Sequence, residues 1–137
     1  MLLTQPDAPL SAARESNVTA AVSADGEGAL TSRLLQSAIH ALELYSIYLG
    51  KELGLYAALQ SGESVTPPEL ARRAGIAPRY AREWLEQQAV AGFLEVDAPL
   101  AEDDTRAYRL PPAHVNVLVT EDHPAHLAPL AQMVAGI

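Results

Sequence analysis

From Leu34 to about Gln60, the polar positions Arg33, Gln36, His40, Glu43, Ser46 and Lys51 recur mostly three or four residues apart, and nearly everything between them is apolar. That spacing predicts a helix with a narrow polar stripe, which must hide most of its circumference. A single small domain cannot cover so much apolar surface. One face is therefore expected to pack on the rest of the fold and another on a partner chain or second domain, with a central helix of a small bundle as the alternative. Gly50 and Gly54 mark a bend or break before Leu55, Tyr56 and Leu59, since each costs about 1 kcal/mol relative to Ala inside a helix; Ser61 and Gly62 then stop it. Upstream, Pro6, Pro9, Gly26 and Gly28 interrupt a small, polar stretch without periodicity. It reads as a disordered leader over residues 1–29, with order beginning near Thr31 or Ser32 as a helix cap.

Thr66-Pro67-Pro68-Glu69 has the form of a helix start: Thr66 as cap, prolines where a missing N–H costs little, and Glu69 placed to complete a capping box. This helix is expected to run from Pro67 to Ala74 and to end at Gly75. Ile76 follows as a buried anchor, and Pro78 opens a second helix to about Ala91, with Tyr80, Ala81, Trp84, Leu85 and Ala89 facing inward. Phe93–Val96 and Ala107–Leu110 each suit a short strand, and the polar stretch between them suits a loop. Pro111-Pro112 begins a short helix to about Val119, and Asp122 with Pro124 begins another toward Met133. The predicted fold is mainly α: a winged helix-turn-helix over residues 30–119, with a long first helix of dimerisation type, a two-stranded β wing, and a C-terminal helix in 120–137.

Charge changes what such a module is expected to do. Its second helix is usually a reader of the DNA major groove, and Arg72, Arg73, Arg79 and Arg82 sit on or beside it. A small DNA-binding regulator using these four arginines is thus one reading. Against it stand a net charge of −8, Glu83 and Glu86 on the same helix, and a wing carrying Glu95, Asp97, Glu102, Asp103 and Asp104. A phosphate backbone would be repelled, so the arginines are expected to pair with those glutamates on a solvated surface, and protein contacts are expected in place of nucleic acid.

The chain has no cysteine, which excludes thiol chemistry and disulfides and is compatible with a reducing cytoplasm. No apolar run approaches the roughly 18 to 20 residues of a membrane span, so a soluble protein without membrane partners is expected. His114, Glu121, Asp122, His123 and His126 gather near the C-terminal end, but Pro124 disturbs the spacing needed for ligands on one helix face, and no metal site is assigned. Asp103 and Asp104 fall in a loop unable to tune carboxylates for acid–base work. Tyr45, Tyr48 and Tyr56 are candidates for a substrate wall, with core or dimer packing as the alternative; Trp84 reads as structural.

The runs Leu53-Gly54-Leu55-Tyr56-Ala57-Ala58-Leu59, Thr66-Pro67-Pro68-Glu69-Leu70-Ala71, Arg79-Tyr80-Ala81-Arg82-Glu83-Trp84-Leu85 and Tyr108-Arg109-Leu110-Pro111-Pro112-Ala113-His114, with Gly75 between the second and third, resemble the N-terminal winged-helix domain of bacterial class I S-adenosylmethionine-dependent methyltransferases. The resemblance covers about Leu34 to Gln132. It implies a domain that dimerises and forms a wall or lid over the substrate pocket of a catalytic domain that follows. On that reading Leu34, Leu35, Ala38, Ile39, Leu42, Tyr45 and Leu49 form the interface of a homodimer. The family's Gly-rich strand-to-helix turn is missing, with no G-x-G-x-x-G anywhere in the chain. No catalytic or cofactor-binding residue is therefore assigned: S-adenosylmethionine is expected only if a methyltransferase domain or partner chain supplies its site. The chain is read as a fragment or a freestanding relative.

Overall fold

The computed structural model describes residues 8–99 and 101–136. The chain divides into two units, Met1–Ile39 and His40–Ile137. Helix α1, Ala8–Glu52, contains the boundary between them.

In the first unit, α1 occupies much of the stretch expected to be a disordered leader; residues 1–7 of that stretch lie outside the described residues. The signals that suggested a leader do not forbid a helix. Pro9 falls in the first turn, where its missing N–H has no helical partner to lose. Added Cβ atoms at Gly26 and Gly28 would meet nothing within 4 Å, so these glycines weaken the helix without serving any close approach. Between and around them, alanine recurs, and it is the strongest helix former. From Ala24 to Ile39 every residue is exposed.

The second unit begins on the C-terminal part of α1. Gly54, at φ +69°, ends the run, because a left-handed residue there turns the chain before α2, Leu55–Ala58. Gly50 acts differently, remaining helical inside α1. A Cβ added to it would lie 2.5 Å from Tyr56 Cε2 and 2.6 Å from Trp84 Cζ2, so glycine is what lets α1 approach those two rings. The rings themselves meet edge to face, with centroids 5.0 Å apart.

Helices α3, Pro67–Ala74, and α4, Pro78–Val90, follow with the expected boundaries to within a residue, and Gly75 closes α3 at φ +69°. The expected capping box does not form. Thr66 holds the N-cap position without a side-chain hydrogen bond, and Glu69 turns to Arg72 and Arg73. Two guanidinium groups within one helical turn outcompete a neutral backbone N–H for the carboxylate. Facing residues Leu70 and Ala71 of α3 and Ala81 and Leu85 of α4 are buried, and Leu55, Leu59 and Leu110 join them in one core. Tyr80, expected to face inward, is 66% exposed, and the inward position one turn beyond Trp84 is taken by Gln88, fully buried.

The wing pairs β1, Glu95–Asp97, antiparallel with β2, Ala107–Arg109, in the register Glu95↔Arg109, Val96↔Tyr108 and Asp97↔Ala107. The cross-strand pair Glu95–Arg109 is an ion pair at 2.6 Å. Val65 adds a bridge to the other edge of β2, its N–H donating to Tyr108 O and its carbonyl accepting from Tyr108 N–H, at 2.8 and 2.9 Å. This contact ties the start of the helix-turn-helix to the wing and has no signature in local sequence. Helix α5 spans Pro112–Leu118. The helix expected from Asp122 is replaced by turns, a 3-10 turn at Ala128–Leu130 and the short α6, Ala131–Ala135. Pro129 explains this: a helix running through it would lose a hydrogen bond and meet the carbonyl of Ala125.

Candidate interaction surface

The proposed interface residues separate cleanly from the core. In the first unit, Leu34, Leu35, Ala38 and Ile39 are all exposed. In the second, Leu42, Tyr45 and Leu49 are exposed as well, Leu42 at 67%. Leu35, Ala38, Leu42, Tyr45 and Leu49 follow one another at alternating intervals of three and four, the spacing of a coiled-coil seam. Tyr45 is also anchored, its hydroxyl donating to Val134 O at 3.0 Å.

The three tyrosines grouped as a substrate wall have different surroundings. Tyr45 is exposed, Tyr48 half-buried, and Tyr56 only 2% exposed. Tyr56 is withdrawn from any open wall: its ring packs on Trp84 and its hydroxyl donates to Gln88 Oε1. Burial pushes the Tyr56 phenol well above its ordinary range, keeping it a neutral donor. The Gln88 amide continues the network, its Nε2 donating to Ser46 Oγ at 3.1 Å and Gln87 Oε1 at 2.8 Å. Ser46 Oγ donates to Gln87 Oε1 at 2.6 Å, and Trp84 Nε1 donates to Ser46 O at 3.0 Å. Gln88 thus satisfies polar groups of α1, α2 and α4 in one buried cluster. Its position, three and four residues beyond Leu85 and Trp84, carried the signal; polarity hid it.

Beside this network, Ser46, Leu49, Leu53, Ile76, Tyr80 and Trp84 line much of a groove of about 400 Å3. A second cavity, of about 360 Å3, lies among α1, α5 and the C-terminal turns, with walls that include Leu44, Ile47, Phe93, His114, Val117 and Ala128.

All four arginines of the DNA reading are turned to carboxylates. Arg72 and Arg73 reach Glu69 at 2.7 and 2.8 Å, and Arg79 reaches Glu83 at 2.9 Å. Arg82 lies 3.9 Å from Asp104, and Arg73 also donates to Ala58 O. Hydrogen bonds from Arg72 and Arg73 hold the Glu69 carboxyl down at about 2. Among the described residues no three His, Asp or Glu side chains gather as a metal site. His123 Nδ1 accepts from Ala125 N–H instead. No described helix is long and apolar enough to cross a membrane.

The Rv2258c-like winged HTH domain model matches residues 41–120. The chain belongs to this winged helix-turn-helix family. That match begins on the last part of α1 and ends just beyond α5, so it contains the helix-turn-helix, the wing and the Gln88 network. Among proteins with curated descriptions, none matches the chain in sequence. Two solved structures share the fold of this Rv2258c-like domain. PigF with SAH is 18% identical with a TM-score of 0.59, over 76% of this chain and 28% of that one. Human N-acetylserotonin methyltransferase in complex with SAM is 15% identical with a TM-score of 0.59, over 77% of this chain and 30% of that one. The chain therefore spans less than a third of either structure, and what it shares with them is the fold. Among the described residues the sheet is a two-stranded antiparallel wing, and no described strand leads through a Gly-rich turn into a helix.

Proposed function

We propose that this Rv2258c-like domain is a non-catalytic interaction module of a methyltransferase-like protein, pairing with a second copy through the apolar seam of α1. The carrying observation is the exposure of Leu34, Leu35, Ile39, Leu42, Tyr45 and Leu49. Fully burying a large apolar side chain contributes roughly 1.5–3 kcal/mol, and these start about half-exposed. Six from each copy would contribute roughly 9–18 kcal/mol, against an association cost of roughly 4–15 kcal/mol. The surplus is small, so pairing should depend on concentration. Any methyl transfer would use a cofactor site supplied by another domain or chain; the paired arginines and acidic wing support protein contacts over DNA.

Sedimentation velocity on the full chain tests this. The expected result is a monomer–dimer equilibrium in the micromolar range, converted to monomer by the double substitution Leu35→Glu and Leu42→Glu with the helical circular dichroism preserved. A strictly monomeric wild type at tens of micromolar would overturn the proposal.

A further inference from the structure

The cavity between α1, α5 and the C-terminal turns has one feature its apolar walls do not explain. Leu44, Ile47, Phe93, Val117, Leu118 and Ala128 supply most of the lining, yet His114 stands among them. Its Nδ1 lies 2.8 Å from Phe93 O. A carbonyl oxygen only accepts, so Nδ1 carries the proton and donates. In the neutral ring this leaves Nε2 as an acceptor, and among the described residues no group is hydrogen-bonded to it. The ring is thus oriented by a backbone contact from Phe93, itself part of the wall, with one hydrogen-bonding atom to spare.

We propose that this cavity is a binding site for a small, uncharged, largely apolar molecule carrying a single hydroxyl, an alcohol or phenol whose O–H donates to His114 Nε2. Three observations select that class. The volume of about 360 Å3 is at the small end of the range typical of ligand pockets. No Lys, Arg, Asp or Glu lines it, so an ionic ligand would lose its hydration with no counter-charge to replace it. The single free acceptor matches a single donor, and an alcohol or phenol hydroxyl supplies one without carrying charge near neutral pH. The charged groups of an adenosyl cofactor would likewise find no counter-charge in these walls. The site does not use Leu35, Leu42 or Leu49, so it stands or falls separately from self-association.

The test is a titration of the 15N-labelled full chain with 2-naphthol, 2-methylnaphthalene and 2-naphthoate, followed by amide shifts. Saturable shifts at Phe93, Val117, Ala128 and Ala131 are expected with 2-naphthol. It should bind roughly two- to tenfold tighter than 2-methylnaphthalene, the ratio given by one neutral hydrogen bond. The 2-naphthoate anion should bind more weakly than 2-naphthol. The His114→Phe variant should lose the preference for the hydroxyl. Should that variant fail to fold, the wild-type His114 imidazole 15N resonances give an independent readout, with Nε2 moving upfield as it accepts the bond. Equal binding of 2-naphthol and 2-methylnaphthalene, preferred binding of the anion, shifts confined to the Ser46–Gln87 groove, or no saturation would each overturn the proposal. So would shifts at the same amides on raising protein concentration alone, which would give the cavity to a second copy.

Discussion

Helices α4 and α1 carry similar apolar spacing and meet opposite fates. On α4, Ala81, Trp84 and Leu85 are at most 7% exposed, buried against α3, α2 and the wing. On α1, Leu35, Leu42 and Leu49 recur every seven residues and are 49–67% exposed. The difference lies in what else the chain places nearby. The turn at Gly75 brings α3 and α4 together, and Tyr108 and Leu110, in and beside the wing, join the same core. From Ala24 to Ile39, α1 is exposed at every position. Apolar periodicity therefore marks a face that requires cover, and says nothing about whether the same chain provides it.

The largest test of this contrast is a pair of truncations. Leu85→Ala removes a fully buried side chain and is expected to cost about 2–5 kcal/mol in urea unfolding. Leu35→Ala, made on the exposed face, should change the unfolding free energy of the dilute monomer by less than about 0.5 kcal/mol. Comparable losses from both would mean that α1 is covered within one chain. Next in size is Gly50→Ala, where the new methyl must displace the Tyr56 or Trp84 ring; a loss of about 1–3 kcal/mol is expected in spite of alanine's better helix propensity. The corresponding changes Gly26→Ala and Gly28→Ala meet no atoms and should raise helicity in circular dichroism. If all three behaved alike, the close approach at Gly50 would carry no energetic weight.

The smallest effect is expected at Glu69, on the solvent side of α3. Its carboxyl titrates at about 2 in the folded protein against an ordinary 4.5, because Arg72 and Arg73 bond to it. A depressed folded value means that its contribution is present above pH 4.5 and is lost as pH falls toward 2. NMR titration of the Glu69 side chain should show that low midpoint, shrinking toward 4.5 in high salt. A midpoint already near 4.5 at low salt would show the two ion pairs to be absent in solution.

The parts of the fold legible in sequence are those specified by local chemistry. Thr66-Pro67-Pro68 and Gly75 bound α3, Pro78 starts α4, and the apolar–polar alternation around Val96 and Tyr108 marks the wing. Each works through a constraint within a few residues: a fixed φ, a missing N–H, a left-handed turn. Those constraints also led to errors. Pro9, Gly26 and Gly28 are weak helix signals but not prohibitions, and α1 passes through them; Pro129, an ordinary residue in the expected last helix, breaks it.

What required the folded chain are the relations between distant residues. Glycine at position 50 looked like a bend until Tyr56 and Trp84 were placed against it. The polar side chain of Gln88 carries no sign that it is buried, and its partners Tyr56, Ser46 and Gln87 are supplied by the fold. Arg72, Arg73 and Arg79 pair with carboxylates one helical turn away, but Arg82 meets Asp104 only because the fold brings the wing loop to it. His114, set aside with its acidic neighbours as a weak metal candidate, became an oriented acceptor only when Phe93 was brought to its Nδ1. Secondary structure follows from short-range sterics and hydrogen bonding, which neighbouring residues specify. Whether a side chain is buried, paired or left free depends on groups up to 89 positions away that only folding brings within reach.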